Sequence, residues 1–467
     1  MVSNRWVTAA FAAFAFLLPG CAAMAPPPKK APPVRINLDP YPSTYHRYPG
    51  AVTVIRHATI FDGEGGRIED GTVVLADGVI EGVGGPETPS PSGAYEMDGR
   101  GKFVTPGIID VHSHLGDYPS PGVPGNSDGN EATGPVRPEV WAEHSVWPQD
   151  PGFSRAMMNG GVTTLQILPG SANLFGGRSV TLKNVPSRTV QGMKFPGAPY
   201  GLKMACGENP KRVYGSKGNM PQTRMGNIAL TRATWIKAQA YKRKWDKYNK
   251  NGGDMPERDL AMDTLMGVLN GQILVHNHCY RADEMAVMLD LAKEMGYHIT
   301  AFHHAVEAYK IADLLKANGT CAAVWADWWG FKMEAYDGIK ENLAWLDRAG
   351  VCAMIHSDDP NGIQRLNQEV AKVLGYARAA GVNISEEHGW TWLSYNPARA
   401  LGVADKTGSL RVGKMADVVL WNADPFSTYA RPERVWIDGA LLYYSGNPHL
   451  RPVSDFELGQ PGEGDVK

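Results

Sequence analysis

Two histidines close the apolar run FVTPGIIDVHSHLG, which covers residues 103–116. On a β-strand, His112 and His114 point to the same side, with Cα atoms about 6.6 Å apart at about 3.3 Å per residue. Because a metal ion lies about 2.1 Å from an imidazole nitrogen, two such rings can hold one ion between them. Taken alone, the motif is equally compatible with two hydrogen-bonded histidines at the end of a strand.

Three later segments place the same residue types at the end of an apolar run. They contain His276 and His278 in ILVHNHCYRADEM, His303 and His304 in ITAFHHAVEAYK, and His356 and Asp358 in MIHSDDP. Histidines placed by chance would also fall within helices and loops. The repeated position therefore favours a shared metal ion over isolated structural histidines.

A set of histidines and one aspartate, without a thiolate, suits Zn²⁺ or another borderline divalent ion, and both one and two ions are compatible with it. Such an ion lowers the pKa of a bound water from about 16 to about 7, which supplies hydroxide at neutral pH. We expect Asp358 to accept the proton of this water and to pass it to the leaving group. His304 or His278 would assist as a second electrophile.

These segments belong to repeated strand–helix units, which predict an α/β fold. The apolar run ILVH precedes RADEMAVMLDLAKEMG, in which Met285, Leu289 and Ala292 share one helical stripe. Such repetition predicts parallel strands, and the length of residues 105–404 suits a (β/α)8 TIM-like barrel. Since the carboxyl ends of eight strands meet at one mouth, the histidines and Asp358 can come together there.

The two regions that flank the predicted barrel have a different pattern. In residues 50–104 and 405–447, β-branched residues alternate with Asp-Gly and Gly-Gly pairs, as in VTVIRHATIFDGEGG. Alternation with turn signals is typical of short antiparallel strands. We predict one small β-sandwich domain built from both chain ends.

The first 24 residues have the profile of an export signal. One arginine precedes an apolar stretch that is too short to span a bilayer comfortably. The sequence LLPGC resembles a bacterial lipobox, which implies a lipid on Cys21 and a position on the periplasmic side of the membrane; a plain cleavable signal is the alternative. Residues 25–49 are proline-rich and predict an extended tether.

Charge and cysteine content exclude some classes of function and leave others open. The formal net charge is -2, so no nucleic-acid partner is expected, and any membrane contact would come through the lipid alone. No glycine-rich phosphate loop follows an early strand. The remaining cysteines have no Cys-x-x-Cys spacing and specify no disulfide; they are Cys206, Cys279, Cys321 and Cys352.

FVTPGIIDVHSHLG, VHNHCYRADEM, HSDDP and VGKMADVVLWNADP together resemble the amidohydrolase superfamily, most closely its imidazolonepropionase-like branch. The resemblance implies a metal-dependent barrel with a β domain assembled from both chain ends. It implies metal ligands at His112, His114, His276, His304 and Asp358, with His278 as the alternative to His276. His303 is expected to point into the barrel wall, and Asp359 to serve a turn.

Some members of this superfamily bridge two metal ions with a modified lysine or a glutamate. In GLKMACGENP, the resemblance implies Lys203 or Glu208 for this role, and the sequence does not decide between them. Arg178, Arg212 and Tyr214 are candidates for binding an anionic group of the substrate, because arginine presents paired donors.

The resulting hypothesis is metal-dependent hydrolysis of a C–N bond in an amide, a cyclic amide or a small peptide. A deaminase of the same superfamily is the first alternative, although HNHC lacks the glutamate that those enzymes carry nearby. The second alternative is a lipid-anchored binding protein without catalysis. The partner is a small molecule or small peptide, and assembly into a homo-oligomer is left open.

Overall fold

The computed structural model describes residues 33–450. The strands are β1 (Thr53–Phe61), β2 (Arg67–Ala76), β3 (Val79–Gly84), β4 (Tyr95–Asp98), β5 (Phe103–Pro106), β6 (Ile108–Ser113), β7 (Val162–Ile167), β8 (Phe175–Lys183), β9 (Gly201–Ala205), β10 (Leu274–Cys279), β11 (Ala301–His304), β12 (Cys321–Val324), β13 (Ala353–Ile355), β14 (Val418–Trp421), β15 (Pro432–Ile437) and β16 (Ala440–Tyr444). The helices are α1 (Pro151–Gly160), α2 (Val190–Met193), α3 (Glu208–Gly215), α4 (Arg224–Asn251), α5 (Leu260–Leu269), α6 (Ala282–Met295), α7 (Ala312–Asn318), α8 (Asn342–Arg348), α9 (Leu366–Ala379), α10 (Glu386–Gly389) and α11 (Tyr395–Ala400).

Eight strands form the barrel sheet, in the order β13-β12-β11-β10-β9-β8-β7-β6. The backbone N–H of Asp358, just beyond β13, donates to the carbonyl of His112 on β6 at 2.9 Å and so links the two edge strands. The prediction of a TIM-like barrel is therefore confirmed. One strand departs from the predicted parallel arrangement: β8 runs antiparallel to both of its neighbours. Its link to β7, residues 168–174, is too short for the crossover of about a dozen residues that a parallel strand requires.

The barrel helices form because one face of each is apolar. In α6, Met285, Met288, Leu289, Ala292 and Met295 are buried. The helix ends where Gly296 adopts a left-handed backbone with φ of 76°, a conformation that glycine adopts without a steric penalty. This burial fixes the end of β10 against the start of β11, and both strands carry candidate ligands.

The composite β domain contains strands from both chain ends, as predicted, and they form one continuous hydrogen-bonded sheet. The sheet branches at β1, whose first half pairs with β4 and whose second half pairs with β5. His57 lies between these halves with φ of 60° and turns the strand. Buried side chains from both ends share the core, among them Ile55, Val104 and Trp436.

A buried ion cluster joins the barrel to the β domain. The Lys183 ammonium on β8 lies 2.9 Å from Asp438 and 3.3 Å from Asp417. Thr407 donates to Asp417 at 2.7 Å, and the hydroxyl of Tyr45 donates to Asp438 at 2.5 Å. Burial and the neighbouring Asp417 raise the pKa of Asp438. Each charge in this cluster therefore has an opposite charge or a donor beside it.

The part of the predicted tether that the structure describes, residues 33–49, has no helix or strand and lies against the barrel. The Asp39 carboxylate pairs with Lys194 at 2.7 Å, and the Leu38 carbonyl accepts from Arg178 at 2.6 Å. These contacts hold the segment in place, so it does not extend away from the barrel. The predicted signal, Cys21 and the start of the tether lie outside the described residues. Within residues 33–450, no helix combines the length and apolar character needed to cross a membrane.

Two disulfides join neighbouring parts of the barrel, Cys206 to Cys279 and Cys321 to Cys352. The paired cysteines are 73 and 31 residues apart in the chain. Because barrel closure alone brings these residues together, their sequence spacing gave no signal for either pair.

Candidate metal centre

The ends of β6 and β13 bring together His112, His114 and Asp358. The Nε2 atoms of His112 and His114 lie 3.3 Å and 3.1 Å from Oδ1 of Asp358. One possible ligand atom from each of the three residues falls within 4.8 Å of the others, which is close enough to share one metal ion. Alternation along β6 thus places both histidines of the first motif on one side, as the sequence predicts.

The hydrogen bonds of His114 indicate which of its nitrogens faces the site. Nδ1 lies 2.8 Å from the Leu168 carbonyl, an acceptor, so a neutral ring carries its proton on Nδ1. Its Nε2 lone pair then points at a carboxylate oxygen 3.1 Å away. Two acceptors at this distance repel each other unless a cation lies between them. The donor set therefore fits a metal ion.

His303 links His112 to His276 inside the barrel. Its Nδ1 lies 2.9 Å from Nδ1 of His112, and its Nε2 lies 2.9 Å from Nδ1 of His276. If His112 donates from Nδ1 to His303, and His303 donates from Nε2 to His276, then Nε2 of His112 keeps its lone pair. That lone pair is directed at the site. Burial lowers the pKa of both His303 and His112 well below its usual value, so these rings are neutral.

Two of our sequence-based expectations need correction here. His303 does not point into the wall: it is in register with His278 on β10, and paired residues of parallel strands face the same side. His276 is in register with Lys203, one layer deeper, and reaches His112 only through His303. The geometry therefore does not place His276 in the group formed by His112, His114 and Asp358.

His304 reaches the site through an unusual backbone. Strand alternation would turn it toward the helices, but its φ of 70° and the φ of 39° at Ala305 redirect the chain at the barrel mouth. Its ring centroid lies 4.8 Å from that of His112 and 4.9 Å from that of His356. Non-glycine residues with left-handed backbones often mark functional sites.

His356 belongs to a second group of possible ligands with His112 and His304. Its Nε2 accepts the backbone N–H of His304 at 3.1 Å. A neutral ring then carries its proton on Nδ1 and has no lone pair left for a metal ion. His356 therefore positions His304.

His278 lies nearer the mouth than His276 on the same strand, β10. Among the residues that the structure describes, neither ring nitrogen of His278 has a hydrogen-bond partner, although the ring is buried. Its ring lies edge-on to His304, with centroids 4.4 Å apart. Burial lowers its pKa well below the usual value, so one nitrogen keeps a free lone pair.

Of the two candidate bridging residues, only Lys203 lies beside the candidate ligands. Its ammonium is fully buried, 3.4 Å from Nε2 of His112 and 2.9 Å from the Pro169 carbonyl. Burial lowers the pKa of Lys203 to about 8. Glu208 begins α3, and its backbone N–H donates to Glu334 at 2.7 Å. It belongs to neither group of possible ligands within residues 33–450.

The three candidate substrate residues lie outside these groups. The Arg178 guanidinium is buried; it donates to Thr264 at 2.8 Å and to the Leu38 carbonyl at 2.6 Å, and it lies over the Trp141 ring. Its donors are therefore engaged in holding the N-terminal segment, and the expectation of an anion contact there is not supported. The Tyr214 hydroxyl donates to the Gly134 carbonyl at 2.8 Å. Arg212 lies on the exposed side of α3.

The carboxylate of Asp358 is ionised. Burial would raise its pKa, but the neighbouring imidazoles, His304 foremost, outweigh burial and hold the pKa well below the usual value. An ionised carboxylate at the barrel mouth attracts a cation strongly. The described chain thus contains a His/Asp group suited to a divalent metal ion.

Sequence reasoning did not identify the aromatic side chains that surround His304. Trp325 stacks on the His304 ring with centroids 4.5 Å apart, and Tyr280 stacks on it at 5.1 Å. Tyr280 follows directly after HNHC, and Trp325 ends the apolar run TCAAVW. Their position just after a strand, where the ligands also lie, was the signal that could have revealed them.

Known proteins resemble this chain across most of its length. The model of the amidohydrolase family matches residues 275–442. The amidohydrolase tasK of Hapsidospora irregularis is 32% identical over 87% of this chain, which spans 45% of that relative's length. An imidazolonepropionase of Bacillus cereus is 22% identical, over 81% of this chain and 90% of its own length.

A solved structure supports the same assignment. The crystal structure of an amidohydrolase from Thermotoga maritima has a TM-score of 0.78 and 35% sequence identity. The match covers 84% of this chain and all of that one. The chain therefore belongs to the amidohydrolase family, and it is a hydrolytic enzyme.

Proposed function

We propose that this enzyme hydrolyses a C–N bond of an amide, a cyclic amide or a small peptide, with a divalent metal ion held by His112, His114 and Asp358. The observation that carries the proposal is the 3.1 Å approach of the His114 lone pair to the Asp358 carboxylate. His278 and His304 are the residues that would hold a second ion, and Lys203 would contribute a ligand only in a modified form, because an ammonium has no lone pair. Zn²⁺ is our first choice, because imidazole and carboxylate ligands without a thiolate suit it.

When bound, a divalent ion of this kind lowers the pKa of a coordinated water and polarises the scissile carbonyl. Asp358 supplies the proton transfer. Its Oδ1 lies 3.3 Å and 3.1 Å from Nε2 of His112 and His114, whereas its Oδ2 lies 3.9 Å from Nδ1 of His304, beyond hydrogen-bonding distance. Oδ2 is therefore free to accept the proton of the attacking water and to deliver it to the leaving nitrogen.

His304 and Lys203 hold the reacting groups in place. Trp325 and Tyr280 confine the His304 ring from two sides, so Nδ1 stays directed toward Asp358. The Lys203 amine donates to Pro169 and approaches His112, which fixes the inner side of the site. This preorganisation reduces the rearrangement needed during the reaction.

The test is a hydrolysis screen of dipeptides, N-acyl amino acids and cyclic ureas, before and after dialysis against a chelator. We expect turnover of at least one amide class, its loss on dialysis, and its return when Zn²⁺, Mn²⁺ or Co²⁺ is added. Turnover that survives complete metal removal would contradict the metal-dependent mechanism. Metal binding without turnover of any member would favour the non-catalytic binding protein.

We also propose that the mature protein is exported and held at the periplasmic side of a membrane by a lipid on Cys21. The two disulfides support an oxidising compartment, since structural disulfides are rare in the cytosol. Cys21→Ala should release the protein from the membrane fraction. Mass spectrometry of the N-terminus would show whether Cys21 becomes the first residue and carries acyl chains.

A further inference from the structure

An open cavity of about 250 Å³ adjoins His304 at the barrel mouth. Its lining includes His304, Val306, Trp325, Trp328, Trp329 and Ile339. Because the His304 ring forms part of the wall and its Nδ1 lies 3.9 Å from the Asp358 carboxylate, the cavity borders the candidate metal centre. A group bound in the cavity would lie beside the reacting atoms.

The outer wall comes from residues 325–336, which we call the aromatic segment and which directly follow β12. Trp328 is 37% exposed and Trp329 is 57% exposed. Tryptophan is highly buried on average, and a cluster of exposed aromatic rings commonly marks a binding surface. This wall therefore requires an explanation beyond folding.

Stacked rings make the wall continuous with the site. Trp325 lies between the His304 ring at 4.5 Å and the Trp328 ring at 4.7 Å, and it is nearly parallel to both. Its indole N–H donates to the Ser357 carbonyl at 3.1 Å, which fixes its orientation. The column of three rings thus runs from the site out to the exposed mouth.

Most polar groups of this lining are already engaged: Asp327 pairs with Lys372 at 2.8 Å, and the exposed charge is the Lys340 ammonium, which lies over the Tyr376 ring. The indole N–H of Trp329 donates to the Tyr336 carbonyl. Asn342 donates to the carbonyls of Ala305 and Val306, and its side-chain oxygen accepts the backbone N–H of Tyr309. What these residues offer to a ligand is therefore carbon surface and aromatic faces.

We propose that this cavity binds a flat apolar group, an aromatic ring above all, attached to the amide that the enzyme hydrolyses. The inference rests on the proposed hydrolytic function and specifies its substrate class. The volume suits one side chain of a substrate, because pockets that hold a whole drug-sized ligand are about 300–1,000 Å³. Aromatic rings prefer stacked or edge-on contacts with other rings, and the column supplies both.

The test compares two substrates in the wild type and in Trp328→Ala. For Phe-containing dipeptides, taken with Phe on either side of the scissile bond, we expect a kcat/KM at least about tenfold above that of Ala-Ala, since one aromatic contact contributes a factor of this size. Trp328→Ala should remove most of that preference, because kcat/KM for the Phe-containing dipeptides should fall much further than kcat/KM for Ala-Ala. An equal loss for both substrates, or no preference in the wild type, would overturn the proposal.

A matched control and a binding measurement complete the test. Trp345 on α8 is also 37% exposed and does not line the cavity, so Trp345→Ala should keep the preference. Calorimetric titration with N-acetylphenylalaninamide and N-acetylalaninamide measures the same selectivity without turnover. If no amide is hydrolysed, the proposed function fails, and this titration alone decides whether the cavity selects an aromatic ring. Equal affinity for the two amides would refute it.

Discussion

Two buried polar clusters in this molecule have opposite character. Around Lys183, at the contact between barrel and β domain, one ammonium pairs with two carboxylates within hydrogen-bonding distance. Around Asp358, at the barrel mouth, ring nitrogens of His278 and His304 have no hydrogen-bond partner within the described chain. A buried polar group without a partner costs free energy, so the second cluster is retained for something that binds there.

Whether a buried polar group has a partner distinguishes the structural cluster from the functional one, without reference to family resemblance. In the Lys183 cluster, removing the ammonium leaves two buried carboxylates without a cation, and the expected consequence is lower stability. In the Asp358 cluster, the missing partner is a cation, and removing a member should reduce metal binding and turnover. The following predictions test this division.

The largest expected effect is on turnover in Asp358→Asn. Asparagine has nearly the same shape and tolerates the left-handed backbone at this position, where φ is 56°. It cannot accept the proton, so we expect kcat to fall by about 10²- to 10⁴-fold while most of the metal is retained. Kinetics and elemental analysis on one preparation measure both.

The neighbouring aspartate provides the control. Asp359 accepts the backbone N–H groups of Asn361 and Gly362 in a turn, so Asp359→Asn should change turnover by less than about threefold. Equal kcat in Asp358→Asn and the wild type would show that another group carries the proton.

Lys183→Met should destabilise the fold by about 3–5 kcal/mol, because it leaves Asp417 and Asp438 buried without their cation. The metal content of the folded protein should not change. Urea unfolding measures the free energy of unfolding of both proteins.

Lys310→Met is the control. Lys310 also pairs with two carboxylates but is partly exposed, so its removal should lower the free energy of unfolding by less than about 1 kcal/mol. Equal losses in the two variants would mean that the Lys183 cluster has no special structural role.

His303→Leu removes the ring that joins His112 to His276. Residues that orient a metal ligand typically contribute a factor of about 10 to 100 in metal affinity or activity, so we expect a loss in that range. Competition with a chromophoric chelator measures the affinity. His303→Gln keeps a donor and an acceptor and should recover part of the loss. Unchanged affinity in His303→Leu would exclude a positioning role.

The smallest effect concerns the partly exposed pair of His388 and Asp347, 2.9 Å apart. The hydrogen bond with Asp347 raises the pKa of His388 above 6.5 in the folded protein. The pair therefore stabilises the fold fully below the unfolded pKa, and this contribution is lost as pH rises through the folded pKa. Solvent screening keeps it below about 1 kcal/mol. Unfolding of wild type and His388→Gln from pH 5 to 9 should show a difference that shrinks with pH; a growing difference would contradict the assignment.

Much of the barrel and part of the site could be predicted from the sequence. Alternation placed His112 and His114 on one face, and strand–helix repetition placed Asp358 at the same mouth. The roles of His303 and His304 could not be assigned by alternation, because the left-handed φ at His304 reverses its direction. The depth of His276 depends on its register with Lys203, which is a relation between strands and not a property of either segment.

The metal content of the purified enzyme tests the central claim most directly. Elemental analysis of the wild type and of His112→Asn/His114→Asn should be made on the same day, with circular dichroism to confirm that both are folded. We predict one to two divalent ions per chain in the wild type and less than a tenth of that amount in the double variant. A wild type that hydrolyses its substrate without stoichiometric metal, or a folded double variant that retains its full metal content, would contradict the account.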